Sequence, residues 1–275
     1  MVFDLHNDLL TAPKKRFARR FDKNVIYAVW TTQLENPIKF IRDALQSPPT
    51  YAAVEDLGFL SDCVDFLADG DFAADGAAGA DLLARLKPVY ASLTWNGENA
   101  LAGGAHSDAG LSDNGRKMIK YLESAGILLD AAHLSRRAFF EAAEASAQPM
   151  ICSHTCFDGL YAHRRNLTDT QIKTIIGAGG LIGLCLVSEF MGKAQAGMED
   201  VIRQIDYFTQ RFGCKNLALG TDLNGCEKPA IRGYAGFVRL REELLKRGYT
   251  RVDVNRIFYQ NARCFLKRRG LFRKK

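Results

Sequence analysis

Apolar runs rich in β-branched residues recur along this 275-residue chain, and segments with helical spacing lie between them. The runs are VFDLH at the start, NVIYAVWTT near 25–32, TYAAVE near 50–55 and PVYASLTW near 88–95. They continue as GILLDAAH near 126–133, PMICSH near 149–154, GGLIGLCLV near 179–187 and NLALGTD near 216–222. Several are almost continuously apolar, as parallel strands buried on both faces require. The intervening segments carry helix punctuation. PIKFIRDALQ has Pro at an early helical position. SDNGRKMIKYLESAG offers Ser112 as N-cap and Gly126 as stop. RRAFFEAAEASA, TDTQIKTIIGAG, MEDVIRQIDYFTQRFG, GFVRLREELLKRG and VDVNRIFYQNARCFLKRRG follow. Eight strand–helix alternations predict one closed (β/α)8 barrel over residues 1–275, with any functional site at the C-terminal ends of the strands. DGDFAADGAAGA at 69–80 reads as a loop between the third and fourth strand units or on the barrel rim.

Composition leaves this picture standing. The chain is 47% hydrophobic and 25% charged, enough for a large core. No stretch is long and apolar enough to span a membrane, and the chain opens on a strand rather than an apolar leader, so a cytoplasmic protein is expected. Seven cysteines, an odd number without a CxxC pair, argue against a disulfide framework and suggest reduced, mostly buried thiols. Cys152 and Cys156 flank His154, but a thiolate zinc site needs more soft ligands nearby. The net charge of +6 concentrates at Lys14, Lys15, Arg16, Arg19 and Arg20 and in the tail LKRRGLFRKK. Solvated surface accounts for both clusters, and no nucleic-acid partner is expected.

The chemistry lies where the strands end. In DLHND, a continued strand projects His6 and Asp8 from one face. Strand three ends in Glu55, strand four in Trp95 and Asn96, strand five in His133, strand six in His154 and strand eight in Asp222. Three of only five histidines in the chain stand at strand ends, beside three carboxylates. Each alone has an ordinary structural explanation; together on one rim they indicate a metal site. Imidazole and carboxylate donors without thiolate suit zinc before manganese, cobalt or iron. Five ligands exceed the need of one catalytic zinc. With Glu55 bridging, they divide into His6, Asp8 and Glu55 on one ion and Glu55, His133 and His154 on the other. Such a pair holds a hydroxide as nucleophile, and Asp222 remains as proton carrier.

The motifs DLHND, AVED at 53–56, LTWNGEN at 93–99, GLSDNGR at 110–116, ILLDAAHLS at 127–135, PMICSHTC at 149–156, RRNLTD at 164–169 and LALGTDLNG at 217–225 stand in one order. In that order the chain resembles the membrane (renal-type) dipeptidases, peptidase family M19 of the amidohydrolase superfamily. The resemblance implies a binuclear zinc dipeptidase that cleaves dipeptides, including those with a C-terminal D-residue, by a metal-bridging hydroxide. Its metal ligands fall on His6, Asp8, Glu55, His133 and His154, and its acid/base carboxylate on Asp222. Its substrate-carboxylate arginine falls on Arg165, with Arg164 as competitor. Phe190 falls on an aromatic position lining the pocket. Trp95 replaces a histidine that contacts the substrate near the scissile carbonyl; indole offers one N–H and no acceptor. Asn224 stands where a second Asp is frequent. The partner expected is a dipeptide, and a homodimer is compatible with the resemblance. Two other classes stand beside this reading: a metal-dependent phosphodiesterase of the same superfamily, and a non-catalytic binding relative, against which the complete ligand set argues.

Overall fold

The computed structural model describes residues 1–7, 24–30, 51–57 and 87–272. Asp8, PIKFIRDALQ, the 69–80 loop and the basic cluster near Lys14 lie outside the described residues. The strands are β1 (Asp4–Asn7), β2 (Val25–Trp30), β3 (Tyr51–Glu55), β4 (Tyr90–Ser92), β5 (Leu128–Asp130), β6 (Ile151–Thr155), β7 (Leu181–Leu184) and β8 (Leu217–Leu219). They close into a barrel in chain order, the (β/α)8 architecture. The chain divides into two compact units, residues 1–25 with 152–275, and residues 26–151.

In the first unit, β1 pairs parallel with β8 (Asp4 opposite Leu219), and β7 with β8 (Gly183 opposite Ala218). Two glycines permit the close approach of β6. A Cβ at Gly183 or Gly220 would stand 1.9 or 1.8 Å from the Ser153 carbonyl oxygen, so no side chain fits at either position. Helix α3 (Asp169–Gly177) starts at Thr168 with a reciprocal Thr168–Gln171 capping box. Helix α4 (Met198–Phe212) buries Val201, Ile202, Ile205 and Phe208 at helical spacing, and the Phe208 ring packs 5.3 Å from Phe157. Each such side chain contributes about 1.5–3 kcal/mol when fully buried. Helix α5 spans Tyr234–Lys246. The C-terminal segment that reads as one helix is α6 (Arg251–Asn255), a π-helical turn (Arg256–Gln260) and α7 (Asn261–Arg268). Within the turn, the Phe258 carbonyl accepts from the Phe3 N–H at 2.7 Å, which ties the turn to the residue preceding β1.

In the second unit, β2 runs parallel to β3 from Ile26–Tyr51 to Trp30–Glu55, and β3, β4 and β5 continue the order. Helix α1 (Asp113–Ser124) is capped as its sequence predicts: the Ser112 hydroxyl accepts from Gly115 N–H, and Gly126 follows at φ +70°. Helix α2 (Arg136–Ala145) is capped by Ser135 and buries Ala138, Phe139 and Ala142.

The strands stop earlier than their apolar runs. β4 ends at Ser92, β5 at Asp130 and β8 at Leu219, so Trp95, His133 and Asp222 each lie three residues beyond a strand. His133 and Asp222 have φ of +69° and +57°, left-handed values that end the extended backbone. Among the described residues, the cysteines are also less buried than expected. Cys152, Cys156 and Cys185 are buried, Cys214 and Cys226 half-buried and Cys264 exposed, all of them free thiols. Among the described residues, no helix is long and apolar enough to cross a membrane.

Candidate metal centre and substrate site

In the first unit, β1 carries His6 and β6 carries His154, both buried, with rings stacked at 3.9 Å between centroids. Neutral imidazole is the form that binds metals. His154 Nδ1 lies 2.9 Å from the Ser153 hydroxyl, and Nε2 lies 2.7 Å from Arg165 Nη2. A guanidinium can only donate, so Nε2 carries the lone pair.

Arg165 itself is 5% exposed, and Arg164 beside it is exposed. The Arg165 Nε has no hydrogen-bond partner and no carboxylate pairs with the guanidinium among the described residues; its charge rests over the Phe190 ring, 5.3 Å from the centroid. Asp222 is half-buried, and its N–H donates to the His6 carbonyl at 3.2 Å, which joins the β8 loop to the end of β1. The Asn224 amide donates to Asn7 Oδ1 at 2.9 Å, a role that an Asp at this position could not fill.

Beneath these residues lies a group that sequence reading passed over. Asp4 is fully buried; its Oδ1 accepts from Thr221 N–H (2.8 Å) and His6 N–H (3.3 Å), and its Oδ2 from the Thr221 hydroxyl (2.6 Å). Burial pushes its carboxyl up to about 6 against the opposing pull of these donors. The signal was present in the paired segments FDLH and GTD, where an apolar strand retains an acid and a threonine.

In the second unit, Glu55 ends β3 and is 2% exposed; His133 is 6% exposed, with Nε2 3.7 Å from Glu55 Oε1. His133 Nδ1 lies 2.9 Å from Asn96 Oδ1, an acceptor that fixes the proton on Nδ1 and leaves the lone pair on Nε2. Asp56 follows Glu55 at φ +59°; its N–H donates to the Ser92 hydroxyl (3.2 Å), and its carboxylate accepts from the Asn99 amide (2.8 Å). Among the described residues, three of the five non-glycine positions with positive φ are Asp56, His133 and Asp222, at or beside the predicted site. Trp95 is half-buried, its ring 6.2 Å from His133. The motif LTWNGEN thus acts through Asn96 and Asn99, whose orienting roles the sequence does not announce.

The donors fit a divalent cation. His6 and His154 in the first unit, and Glu55 and His133 in the second, are buried nitrogen and oxygen donors of the kind such an ion takes. The buried thiols are engaged elsewhere: Cys156 Sγ faces Cys185 Sγ at 3.5 Å.

Residues 75–268 match the model of the membrane dipeptidase family, peptidase family M19. The chain is 28% identical over 214 residues to an uncharacterized protein in the pqqA 5′ region of Klebsiella pneumoniae, covering 70% of this chain and 79% of that one. The fold of a family M19 metallopeptidase, dipeptidase AC, superposes with a TM-score of 0.79 at 18% identity, covering 98% of both chains. A metallopeptidase from Rhodobacter sphaeroides, liganded with a phosphinate mimic of L-Ala-D-Ala, superposes with a TM-score of 0.76 at 18% identity, covering 97% of this chain and 98% of that one. The family match spans well over half of the sequence, and the chain belongs to the membrane dipeptidase family, peptidase family M19.

Proposed function

We propose that this protein is a zinc dipeptidase of one catalytic domain, residues 1–275, hydrolysing dipeptides that include C-terminal D-residues. The observation that carries the reading is Arg165. A buried cation with no anionic partner among the described residues is costly, so a fold that keeps one against the buried imidazoles of His154 and His6 has a use for an anion there. Every dipeptide offers one, its terminal carboxylate, which matches the planar guanidinium in bidentate fashion. The mimic bound by the Rhodobacter enzyme points to the same substrate class.

In this reading, His6, Asp8 and Glu55 hold one zinc, and Glu55, His133 and His154 the other. When bound, the zinc pair supplies Lewis acidity toward the scissile carbonyl and a nucleophile from water at neutral pH. The side chains do the rest. Asp222 takes the proton from the attacking water and returns it to the leaving amine nitrogen. Asn96 and Ser153 hold the two imidazoles in ligating orientation. Phe190 lines the pocket beside Arg165. Trp95, with a single indole N–H, contacts the substrate where a histidine would otherwise reach the carbonyl, and shifts substrate preference.

The test compares L-Ala-D-Ala with its C-terminal amide. Wild type should prefer the free acid, and Arg165→Lys should lose about 1–3 kcal/mol in kcat/KM on the acid, the order of a charged hydrogen bond. The same substitution should cost little more on the amide. Equal loss on both substrates would make Arg165 structural. A DNA oligonucleotide offered to the same preparation should stay intact.

A further inference from the structure

Arg165 is the second arginine of RRN, and the residue two positions before it, His163, has no part in the site as read so far. His163 lies outside every strand-end pattern. Its surroundings tie it to Arg165 twice. The Arg165 backbone N–H donates to His163 Nδ1 at 3.2 Å, a local turn closed by Asn166 N–H on the His163 carbonyl at 3.0 Å. The His163 ring also packs against Phe190, 4.9 Å between centroids, and Phe190 carries the Arg165 guanidinium 5.3 Å away. His163 therefore holds both ends of Arg165: its backbone directly, its charge through the aromatic ring.

The other contacts of His163 keep this arrangement in one geometry. Its backbone N–H donates to Asp158 Oδ1 at 3.2 Å, and ring Nε2 faces Glu189 Oε1 at 3.8 Å. The carboxylate at Nε2 favours the tautomer with the proton there, which leaves Nδ1 free to accept from Arg165. The Asn166 amide donates to the carbonyls of both Tyr161 and Phe190, at 2.8 Å each, and clamps the turn to the segment bearing Phe190.

We propose that His163 is a positioning residue: its Nδ1 and its ring face hold Arg165 in the orientation that receives the substrate's terminal carboxylate. The inference rests on the Arg165 reading of the preceding subsection and adds a specificity determinant to it. A long, flexible side chain gains little from a bidentate contact unless its orientation is set beforehand.

The test uses zinc-reconstituted enzyme with L-Ala-D-Ala and its C-terminal amide. Two variants separate the two holds: His163→Phe keeps the ring on Phe190 and removes the acceptor, and His163→Asn keeps an acceptor near Nδ1 and removes the ring. His163→Ala removes both. His163→Ala should raise KM for the acid roughly tenfold, with kcat within about twofold of wild type, because only orientation is lost. KM for the amide should stay put, so preference for the acid shrinks by the same factor. Each single-hold variant should fall between wild type and His163→Ala. Unchanged KM in His163→Ala, with the acid preference of wild type intact, overturns the positioning role and leaves Arg165 as carboxylate receptor. Parallel losses in kcat on acid and amide with a lowered Tm also overturn it, making His163 a fold residue. A wild type indifferent to amidation overturns the Arg165 reading, and the positioning role falls with it.

Discussion

The two units hold their proposed metal donors by different means. In residues 26–151, neutral side chains at the end of β4 and just beyond it do so: Asn96 orients His133, and Asn99 and Ser92 hold Asp56 beside Glu55. In the other unit, His6 and His154 sit on strands above a buried carboxylate, Asp4, and against glycine-lined backbone at Gly183 and Gly220. The first arrangement is a hydrogen-bond scaffold at strand ends and in the segments that follow them. The second is built into the barrel wall, where little can shift without a steric or desolvation cost. Ligand orientation in one unit and strand integrity in the other are therefore separate properties, and substitutions should separate them.

The largest effect belongs to chemistry. Asp222→Asn keeps shape and removes proton transfer, and kcat should fall by about 10²–10⁴. Stopped assays on reconstituted protein, with metal measured alongside, decide the role. Metal loss would make Asp222 a ligand, and near wild-type kcat would remove it from the mechanism.

Next is the wall. Asp4→Ala strands three donors, Thr221 N–H, the Thr221 hydroxyl and His6 N–H, in a dry interior. Stability should drop by about 3 kcal/mol or more in denaturant titration. A loss below about 0.5 kcal/mol would show that the carboxylate contributes little beyond its volume.

A smaller effect, confined to the scaffold, is expected for Asn96→Ala. Without the acceptor on Nδ1, His133 loses its orientation, and metal affinity should weaken about 10–100-fold with Tm of the metal-free protein nearly unchanged. If Tm falls as far as in Asp4→Ala, the contrast between the two units collapses.

The smallest effect concerns acid. Glu141 accepts from Arg137 Nε (2.8 Å) and Leu111 N–H (2.6 Å), holding the 110–111 backbone against α2. The Arg137 hydrogen bond, ahead of the Leu111 N–H, lowers its carboxyl below the usual 4.5. A lowered folded-state value stabilises above the unfolded value and is lost as pH falls through the folded one. Wild-type Tm should therefore decline slightly more than that of Glu141→Gln below about pH 4.5. Identical pH profiles would remove this tie from the account.

The barrel was legible in the sequence because eight apolar runs separate amphipathic segments, a pattern that burial on two faces imposes. Strand ends were less so. The runs at 88–95, 126–133 and 216–222 continue past their strands, because the loop residues that follow are buried too: Leu93, Thr94, Ala131, Ala132 and Thr221 all lie inside. Apolar character reports burial, not hydrogen bonding, and His and Asp only favour the positive φ that His133 and Asp222 adopt, without fixing where a strand stops. Titratable donors stood out because histidines are scarce. Asp4, Asn96, Asn99 and His163 did not, since each acts by orienting a neighbour, a relation set by three-dimensional contact rather than by spacing.

The central claim, a binuclear zinc centre bridged by Glu55, is tested most directly by metal content per chain in wild type and Glu55→Gln, reconstituted with zinc and freed of excess. Wild type should hold two ions, and Glu55→Gln should lose affinity for both together, because one carboxylate serves both and its amide is a weak ligand. A wild type that never exceeds one ion per chain, or a variant that retains one at full affinity, would contradict the bridged centre.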